Sequence, residues 1–192
     1  MAIDIKIHGR DHPDVAGDFN NLAQLLKSQG KFSETEPLHR EALAIDIKVH
    51  GRDHPNVATS LNNLAELLKS QGKLLEAEPL YKQSLAIRKK VFGNNHPDVA
   101  SSLNNLALLL SAQGDYVGAE KLQREAMNID IKVLGQDHPD VATDLNNLAV
   151  LLWQQGKEME ANELGKEALA IRVRALGPDH PYTMQAQKDW GQ

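Results

Sequence analysis

Apolar residues recur along the chain at the spacing of an α-helix. In one stretch they step by 4, 3, 1 and 3 residues and so share one helical face: Val57, Leu61, Leu64, Ala65 and Leu68. A second apolar series follows from Leu74 to Val91. This pattern predicts a helix A at about 55–70 and a helix B at about 73–91, and no segment shows the alternation of a β-strand.

The helical pattern repeats itself every 42 residues. His-Pro dipeptides mark the step, at His12, His54, His96, His138 and His180. A fixed period of about 20–50 residues is the sequence signature of a solenoid. We therefore predict a single solenoid over residues 1–192, with full repeats at about 12–53, 54–95, 96–137 and 138–179. Residues 2–9 are read as the end of a preceding helix B, and residues 180–192 as the start of a further helix A.

The recurring histidines could in principle bind metal or cap helices. Neighbouring helices pack about 8–10 Å apart, whereas metal ligands lie about 2 Å from the ion, so equivalent histidines cannot share one ion. We interpret each histidine as a cap or turn residue, followed by Pro at the first helical position. No catalytic, metal or cofactor motif is present, so none of these sites is predicted.

Composition narrows the class of protein. With 41% hydrophobic and 24% charged residues, the chain has the make-up of a folded domain. A net charge of −5 gives no electrostatic reason to expect nucleic acid or an anionic membrane as partner. No apolar run is long enough to cross a membrane, and the absence of cysteine fits the cytoplasm. We expect a non-enzymatic cytoplasmic protein that binds neither nucleic acid nor membrane.

Several strings of residues resemble a known repeat family. Residues 61–84 show the alternation of small and large residues found in tetratricopeptide repeats (TPR), whose usual period is about 34 residues. The longer period, and strings such as residues 96–100 (HPDVA) and 77–81 (AEPLY), resemble the kinesin light chain type. The resemblance implies an all-α fold, a right-handed superhelix of antiparallel helix pairs, and a role in recognising cargo or adaptor proteins.

Each full repeat places two asparagines in the middle of helix A, although Asn is a mediocre helix former. At about 100° per residue, Asn63 lies about 200° from Leu61 and therefore opposite the core. The resemblance implies that helix A lines a concave groove, and we expect an asparagine ladder along it: Asn21, Asn63, Asn105 and Asn147. An amide offers donors and an acceptor that match a peptide backbone. The arrangement resembles the ladder of the O-linked N-acetylglucosamine transferase repeats.

The asparagines have a second possible role. Their amides can bond within or between neighbouring helices and only fix the stacking. We favour this interpretation for the first asparagine of each pair: Asn20, Asn62, Asn104 and Asn146. For the ladder we predict peptide binding and leave this alternative open.

The residues beside the ladder change character along the chain. The first two repeats place polar side chains there: Gln24, Lys27, Glu66 and Lys69. The next two place mostly apolar ones: Leu108, Ser111, Val150 and Trp153. Exposed Leu, Val and Trp side chains in one region predict a hydrophobic pocket. The alternative is that Trp153 packs across the end of the solenoid.

Two functions are compatible with this pattern. The first is a scaffold that holds an extended peptide or partner segment in the groove, without catalysis or cofactor. The second is a structural spacer, or a self-assembling arm of a larger protein. Repeat stacks need polar caps at their ends. We therefore also expect end-to-end self-association, or fraying, at the apolar N-terminal residues Ile3, Ile5 and Ile7.

Overall fold

The computed structural model describes Gly9 and residues 11–191, apart from the side chain of Phe32. Over those residues the chain forms helices and no strand. The helices are α1 (Pro13–Ser28), α2 (Phe32–His50), α3 (Pro55–Ser70), α4 (Leu74–Phe92), α5 (Pro97–Ala112), α6 (Tyr116–Leu134), α7 (Pro139–Gln154), α8 (Glu158–Leu176) and α9 (Pro181–Trp190). A helix able to span a membrane is not found within that part of the chain. Ile3, Ile5 and Ile7 lie outside the described residues.

The chain divides into two compact units, residues 1–93 and 94–192, which we call the N-terminal half and the C-terminal half. In the N-terminal half, successive helices pack together from α1 to α4. In the C-terminal half, the same holds from α5 to α9. Each half thus consists of helix pairs, and α1, α3, α5, α7 and α9 are the helices predicted as helix A.

Every His-Pro dipeptide begins one of the A helices. The histidine has extended backbone dihedrals, and proline is the first helical residue. The histidine Nδ1 accepts a hydrogen bond from the backbone N–H two residues later, at 3.1 to 3.3 Å. The predicted capping role is therefore confirmed, because the side chain satisfies one of the free N–H groups of the first turn. No cluster of three or more potential metal ligands occurs among the described residues.

Glycine and proline mark the helix B segments. Gly93 follows α4 with a φ of 78°, a left-handed conformation that glycine adopts without strain, and its N–H donates to the Lys89 carbonyl at 3.0 Å. Pro37 and Pro79 lie inside α2 and α4 at exposed positions, and both helices continue through them. Each helix therefore tolerates the loss of one backbone hydrogen bond near its start.

The core of each half lies where A and B helices meet. In the N-terminal half, Val57, Ala58 and Leu61 of α3 pack with Ile87 of α4. In the C-terminal half, Val141 and its neighbours on α7 pack with residues of α8, in a cluster of Val141, Ala142, Leu145, Ala168 and Ile171. The helical phase deduced from the apolar spacing is the observed one.

Enlarging a buried alanine at an A–B contact should destabilise the fold. Ala107 of α5 is buried against Ala119 of α6 and Leu151 of α7. We expect Ala107→Leu to lower the free energy of unfolding by about 1–3 kcal/mol, because a well-packed site cannot accept three more carbons without strain. Urea unfolding of the variant and of Ala112→Leu, an exposed position at the end of the same helix, measures this. Equal midpoints for the two variants would contradict the packing described here.

Candidate functional site

The exposed side of the A helices carries the residues predicted to bind a partner. We call it the helix-A surface and define it separately for each half. In the N-terminal half it comprises Asn21, Gln24 and Lys27 of α1 with Asn63, Glu66 and Lys69 of α3. In the C-terminal half it comprises Asn105, Leu108 and Ser111 of α5 with Asn147, Val150 and Trp153 of α7.

The ladder residues of the N-terminal half are open to a ligand. Asn21 is exposed and Asn63 is half-buried. Neither side chain makes a hydrogen bond with another described residue. Both amides therefore keep their donors and their acceptor available for something outside the chain.

An ion pair joins α1 and α3 beside these amides. The Lys27 Nζ and Glu66 Oε1 atoms are 2.6 Å apart. Lys69 lies near this pair: partial burial lowers its pKa, Lys27 lowers it further, and Glu66 opposes the change. His39 is fully buried below, and burial together with the charge of Lys27 lowers its pKa. This part of the surface is polar and of mixed charge.

The C-terminal half presents an apolar helix-A surface. Leu108 and Val150 are 41% and 43% exposed, and Trp153 is 49% exposed. Ser111 Oγ, next to them, donates to Gln154 Oε1 at 3.2 Å. The predicted exposure of these three apolar side chains is thus observed in the described structure.

Trp153 forms one wall of a cleft. The cleft has a volume of about 330 Å³ and is lined by Val150, Trp153 and Gln154 of α7 and by Asp189 and Trp190 of α9. The two indole rings meet edge to face, with centroids 6.4 Å apart and an interplanar angle of 68°. Trp153 therefore packs partly against the last helix and keeps half of its surface for solvent.

Trp190 is a component of this site that the sequence reasoning missed. It is only 7% exposed, and its Nε1 donates to Asn146 Oδ1 at 2.9 Å. The indole lies against Gly165 of α8, where a Cβ atom would come within 2.2 Å of the Trp190 Cδ2 atom. The repeat register carries the signal: Trp190 stands at the position of Leu148, and Gly165 at that of Gln123. A larger residue in one helix is matched by a smaller one in the next.

The first asparagine of the pair has a structural role wherever its bonds are described. Asn20 Oδ1 lies 2.9 Å from His39 Nδ1, and Asn20 Nδ2 donates to Ser60 Oγ at 3.3 Å. Asn146 holds the Trp190 indole. These contacts agree with the stacking role expected for these residues.

Both ladder residues of the C-terminal half, Asn105 and Asn147, make internal interactions. Asn147 Nδ2 donates to Asn104 Oδ1 at 3.1 Å, which links α7 to α5. The amide of Asn147 retains a second N–H and its carbonyl oxygen. In the C-terminal half the second asparagine can therefore serve stacking and ligand binding together.

The buried polar residues of the N-terminal half do not form a nucleophile–base pair. Ser60 Oγ donates to Asp46 Oδ2 at 2.6 Å, and the His39 ring contacts Asn20 instead of the serine. His39, Asp46 and Ser60 are buried, and together with the half-buried Asn20 they link α1, α2 and α3. Their arrangement fits helix packing.

Comparison with known proteins agrees with this geometry. The sequence model of the tetratricopeptide repeat family matches residues 19–90, 58–132 and 98–172. The chain belongs to the tetratricopeptide repeat family, and its repeats are of the kinesin light chain type. A search of curated proteins finds no match to the chain.

Solved structures show the likeness in three dimensions. A Podosopora anserina protein described as a kinesin light chain with nearly identical TPR-like repeats superposes with a TM-score of 0.80 at 28% identity, over 93% of this chain and 85% of that chain. A point variant of that protein gives 0.81 at 28% identity, over 93% and 84%. BtubC (BKLC) from P. vanneervenii gives 0.78 at 28% identity, over 88% of this chain and 68% of that chain.

These findings establish the fold class and the general role. The predicted all-α, TPR-like fold of antiparallel helix pairs is confirmed. The chain is a protein-interaction scaffold, and repeats of this family typically act without catalysis.

Proposed function

We propose that the helix-A surface binds an extended segment of a partner protein. The observation that carries this proposal is the pair Asn21 and Asn63, two equivalent amides on adjacent A helices that have no hydrogen-bond partner among the described residues. An asparagine that faces away from the core lowers helix stability relative to Ala. Because asparagine nevertheless recurs at the same position of each repeat, we infer that its side chain binds a ligand.

The spacing of the A helices suits an extended peptide. Packed helices lie about 8–10 Å apart, and an extended chain advances about 3.3 Å per residue. One asparagine in each repeat can therefore reach the backbone of every third residue or so. Such contacts recognise the extended conformation and are insensitive to sequence.

The cleft at Trp153 would supply the sequence preference. Trp153 and Val150 offer an apolar wall of limited depth, and Trp190 closes its base. Burial of an aromatic or aliphatic side chain in such a cleft commonly dominates the energy of a peptide interface. We propose Leu108 and Ser111, beside the cleft, and Glu66 and Lys69 of the N-terminal half as further contacts.

The likeness to kinesin light chain repeats supports cargo or adaptor recognition in the cytoplasm as the setting. In this proposal the partner is a protein segment, and neither a cofactor nor a nucleic acid is required. A purely structural spacer would not need unpaired amides at Asn21 and Asn63.

Trp153→Ala tests the cleft. The probe is a peptide with an apolar anchor residue, selected against the parent chain from a random peptide library. We expect the variant to bind it about 10- to 30-fold more weakly, because a buried aromatic anchor contact is worth about 1.4–2 kcal/mol. Isothermal titration calorimetry measures the affinity.

The control is Met159→Ala, which removes an exposed apolar side chain from α8, a B helix. It should bind the same peptide as tightly as the parent. An unchanged affinity for Trp153→Ala, or an equal loss in both variants, would count against the cleft. Failure to select any peptide would favour the spacer function.

A further inference from the structure

Each half contains a cleft between its A helices at the same register of the repeat. In the N-terminal half the cleft is about 160 Å³ and is lined by Asn20, Asp46 and Ser60, among others. In the C-terminal half it is about 190 Å³, and the equivalent residues, two repeats later, are Asn104, Asp130 and Asp144. The two clefts differ in chemistry because Asp144 stands in place of Ser60, and the exposed Asp140 in place of Asn56.

In the cleft of the N-terminal half, the carboxylate of Asp46 has a hydrogen-bond donor. Ser60 Oγ donates to Asp46 Oδ2 at 2.6 Å, and Asn20 Nδ2 donates to Ser60 Oγ at 3.3 Å. The single carboxylate thus accepts a hydrogen bond from a hydroxyl group across the α2–α3 contact. This half has one acidic group in the cleft, Asp46.

Besides the exposed Asp140, the cleft of the C-terminal half holds two carboxyl groups, Asp130 and Asp144, where the other holds one. Asp144 of α7 is 3% exposed and lies within hydrogen-bond reach of Asp130 of α6. Gln123 Nε2 donates to Asp144 Oδ1 at 2.9 Å. The remaining Asp144 Oδ2 and the Asp130 Oδ1 are buried and receive no donor from any described residue. Two ionised carboxylates cannot stay in contact at such a site without a large energetic cost.

We propose that Asp130 and Asp144 share one proton at neutral pH, so that the packing of α6 against α7 responds to pH. A shared proton supplies the missing donor and lets the two groups form a carboxyl–carboxylate hydrogen bond. Among the described charged groups that face the pair, Asp140 on α7 opposes ionisation, and His138, before α7, favours it at Asp130. The nearby α5 contributes Asn104 and Ser101, and α8 packs Ala168 and Ile171 against this part of α7.

The electrostatics agree with this geometry. Burial and the neighbouring Asp130 raise the pKa of Asp144 to about 8, and burial also raises the pKa of Asp130. In the unfolded chain an aspartate titrates near 3.9. The folded state therefore binds more protons than the unfolded state between about pH 4 and pH 8, and stability falls as pH rises through that window.

The pair lies beside the helix-A surface. Asn104 lines the same cleft and accepts the hydrogen bond from Asn147. Loss of the shared proton would separate α6 from α7 and disturb this link between α5 and α7. This effect on binding rests on the proposed function, whereas the shared proton itself does not.

The two halves provide matched variants for a test. Asp144→Ser copies the serine of the first cleft, and Ser60→Asp copies the aspartate of the second. Urea unfolding midpoints between about pH 5 and about pH 9 measure the linkage, and side-chain carboxyl ¹³C NMR of the folded protein measures the titration directly. Glu120 does not titrate in this pH range. Burial raises its pKa, but the hydrogen bonds from Lys157, Gln155 and Arg124 outweigh this effect and lower the pKa to about 2.

We expect the urea midpoint of the parent to fall with rising pH and that of Asp144→Ser to lose this pH dependence. Ser60→Asp should add a second pH-dependent step, from the N-terminal half. In the NMR titration one apparent carboxyl step of the parent should lie above about pH 7 and disappear in Asp144→Ser. Parallel profiles for the parent and Asp144→Ser, or titration of both aspartates near pH 4, would overturn the proposal. If Asp144→Ser does not fold, Asp130→Asn and the NMR titration of the parent decide the same question, without any peptide.

Discussion

Replacing Asn21 and Asn63 together by Ala should weaken peptide binding by about 5- to 150-fold and leave the N-terminal half at least as stable as before. Neither amide has a hydrogen bond to another described residue, and Ala is the better helix former. If each amide contributes one hydrogen bond to a bound peptide, the pair is worth about 1–3 kcal/mol. Titration of the selected peptide and urea unfolding of the same preparation measure both effects.

The neighbouring asparagine is the control. Asn20 lies on the same helix as Asn21, but its amide bonds His39 and Ser60 inside the N-terminal half. Asn20→Ala should therefore destabilise this half, because buried partners lose their bonds. Early unfolding of the Asn21→Ala, Asn63→Ala variant would show that the ladder is structural. Unchanged stability with unchanged affinity would place the partner elsewhere and favour the spacer function.

Gly165→Ala should lower the free energy of unfolding, whereas Gly17→Ala should raise it. Gly→Ala within a helix normally stabilises by up to about 1 kcal/mol, and Gly17 of α1 has open space around it. At Gly165 the new Cβ atom would fall 2.2 Å from the buried Trp190 indole. We expect Gly165→Ala to cost about 1–3 kcal/mol, which makes a difference of about 1–4 kcal/mol between the two variants.

Urea unfolding of both variants, followed by tryptophan fluorescence, measures this difference. The variant Gly165→Ala, Trp190→Leu replaces the indole by the leucine that the preceding repeat has at this position, Leu148. It should recover part of the loss, because residues in contact do not act additively. Equal effects of Gly17→Ala and Gly165→Ala would show that the indole does not occupy this position.

The helices could be predicted closely from the sequence because their ends depend on local chemistry. The predicted helix A at 55–70 matches Pro55–Ser70, since a His-Pro cap and a Gly-containing turn delimit it. Helix B was predicted at 73–91 and is observed at Leu74–Phe92. The exposure of the apolar residues on α5 and α7 followed from the same helical phase.

Contacts between distant residues could not be derived in this way. The Trp190 indole fits because Gly165 lacks a side chain, and the two residues lie on different helices. Asp144 meets Asp130 only once α6 and α7 are packed. Helical periodicity assigns a residue to a face of its own helix and gives no information about which residue lies opposite.

The asparagines illustrate both outcomes. The angular positions at about 100° per residue placed the two members of each pair on different sides of helix A. In the structure Asn20 and Asn146 make interhelical hydrogen bonds. The sequence pattern could not show that Asn147 also donates a hydrogen bond to Asn104. An amide has several donors and acceptors, and their partners depend on distances that one helix alone does not set.

The most direct test of partner binding at the helix-A surface is an NMR titration of the ¹⁵N-labelled chain with the selected peptide. If the proposal is right, the side-chain amide signals of Asn21, Asn63, Asn105 and Asn147 and the indole N–H of Trp153 should shift in step with binding. Signals from the exposed side of the B helices, such as the Gln83 amide of α4, should stay in place. Shifts confined to the B helices, with the ladder amides unchanged, would contradict the proposed site.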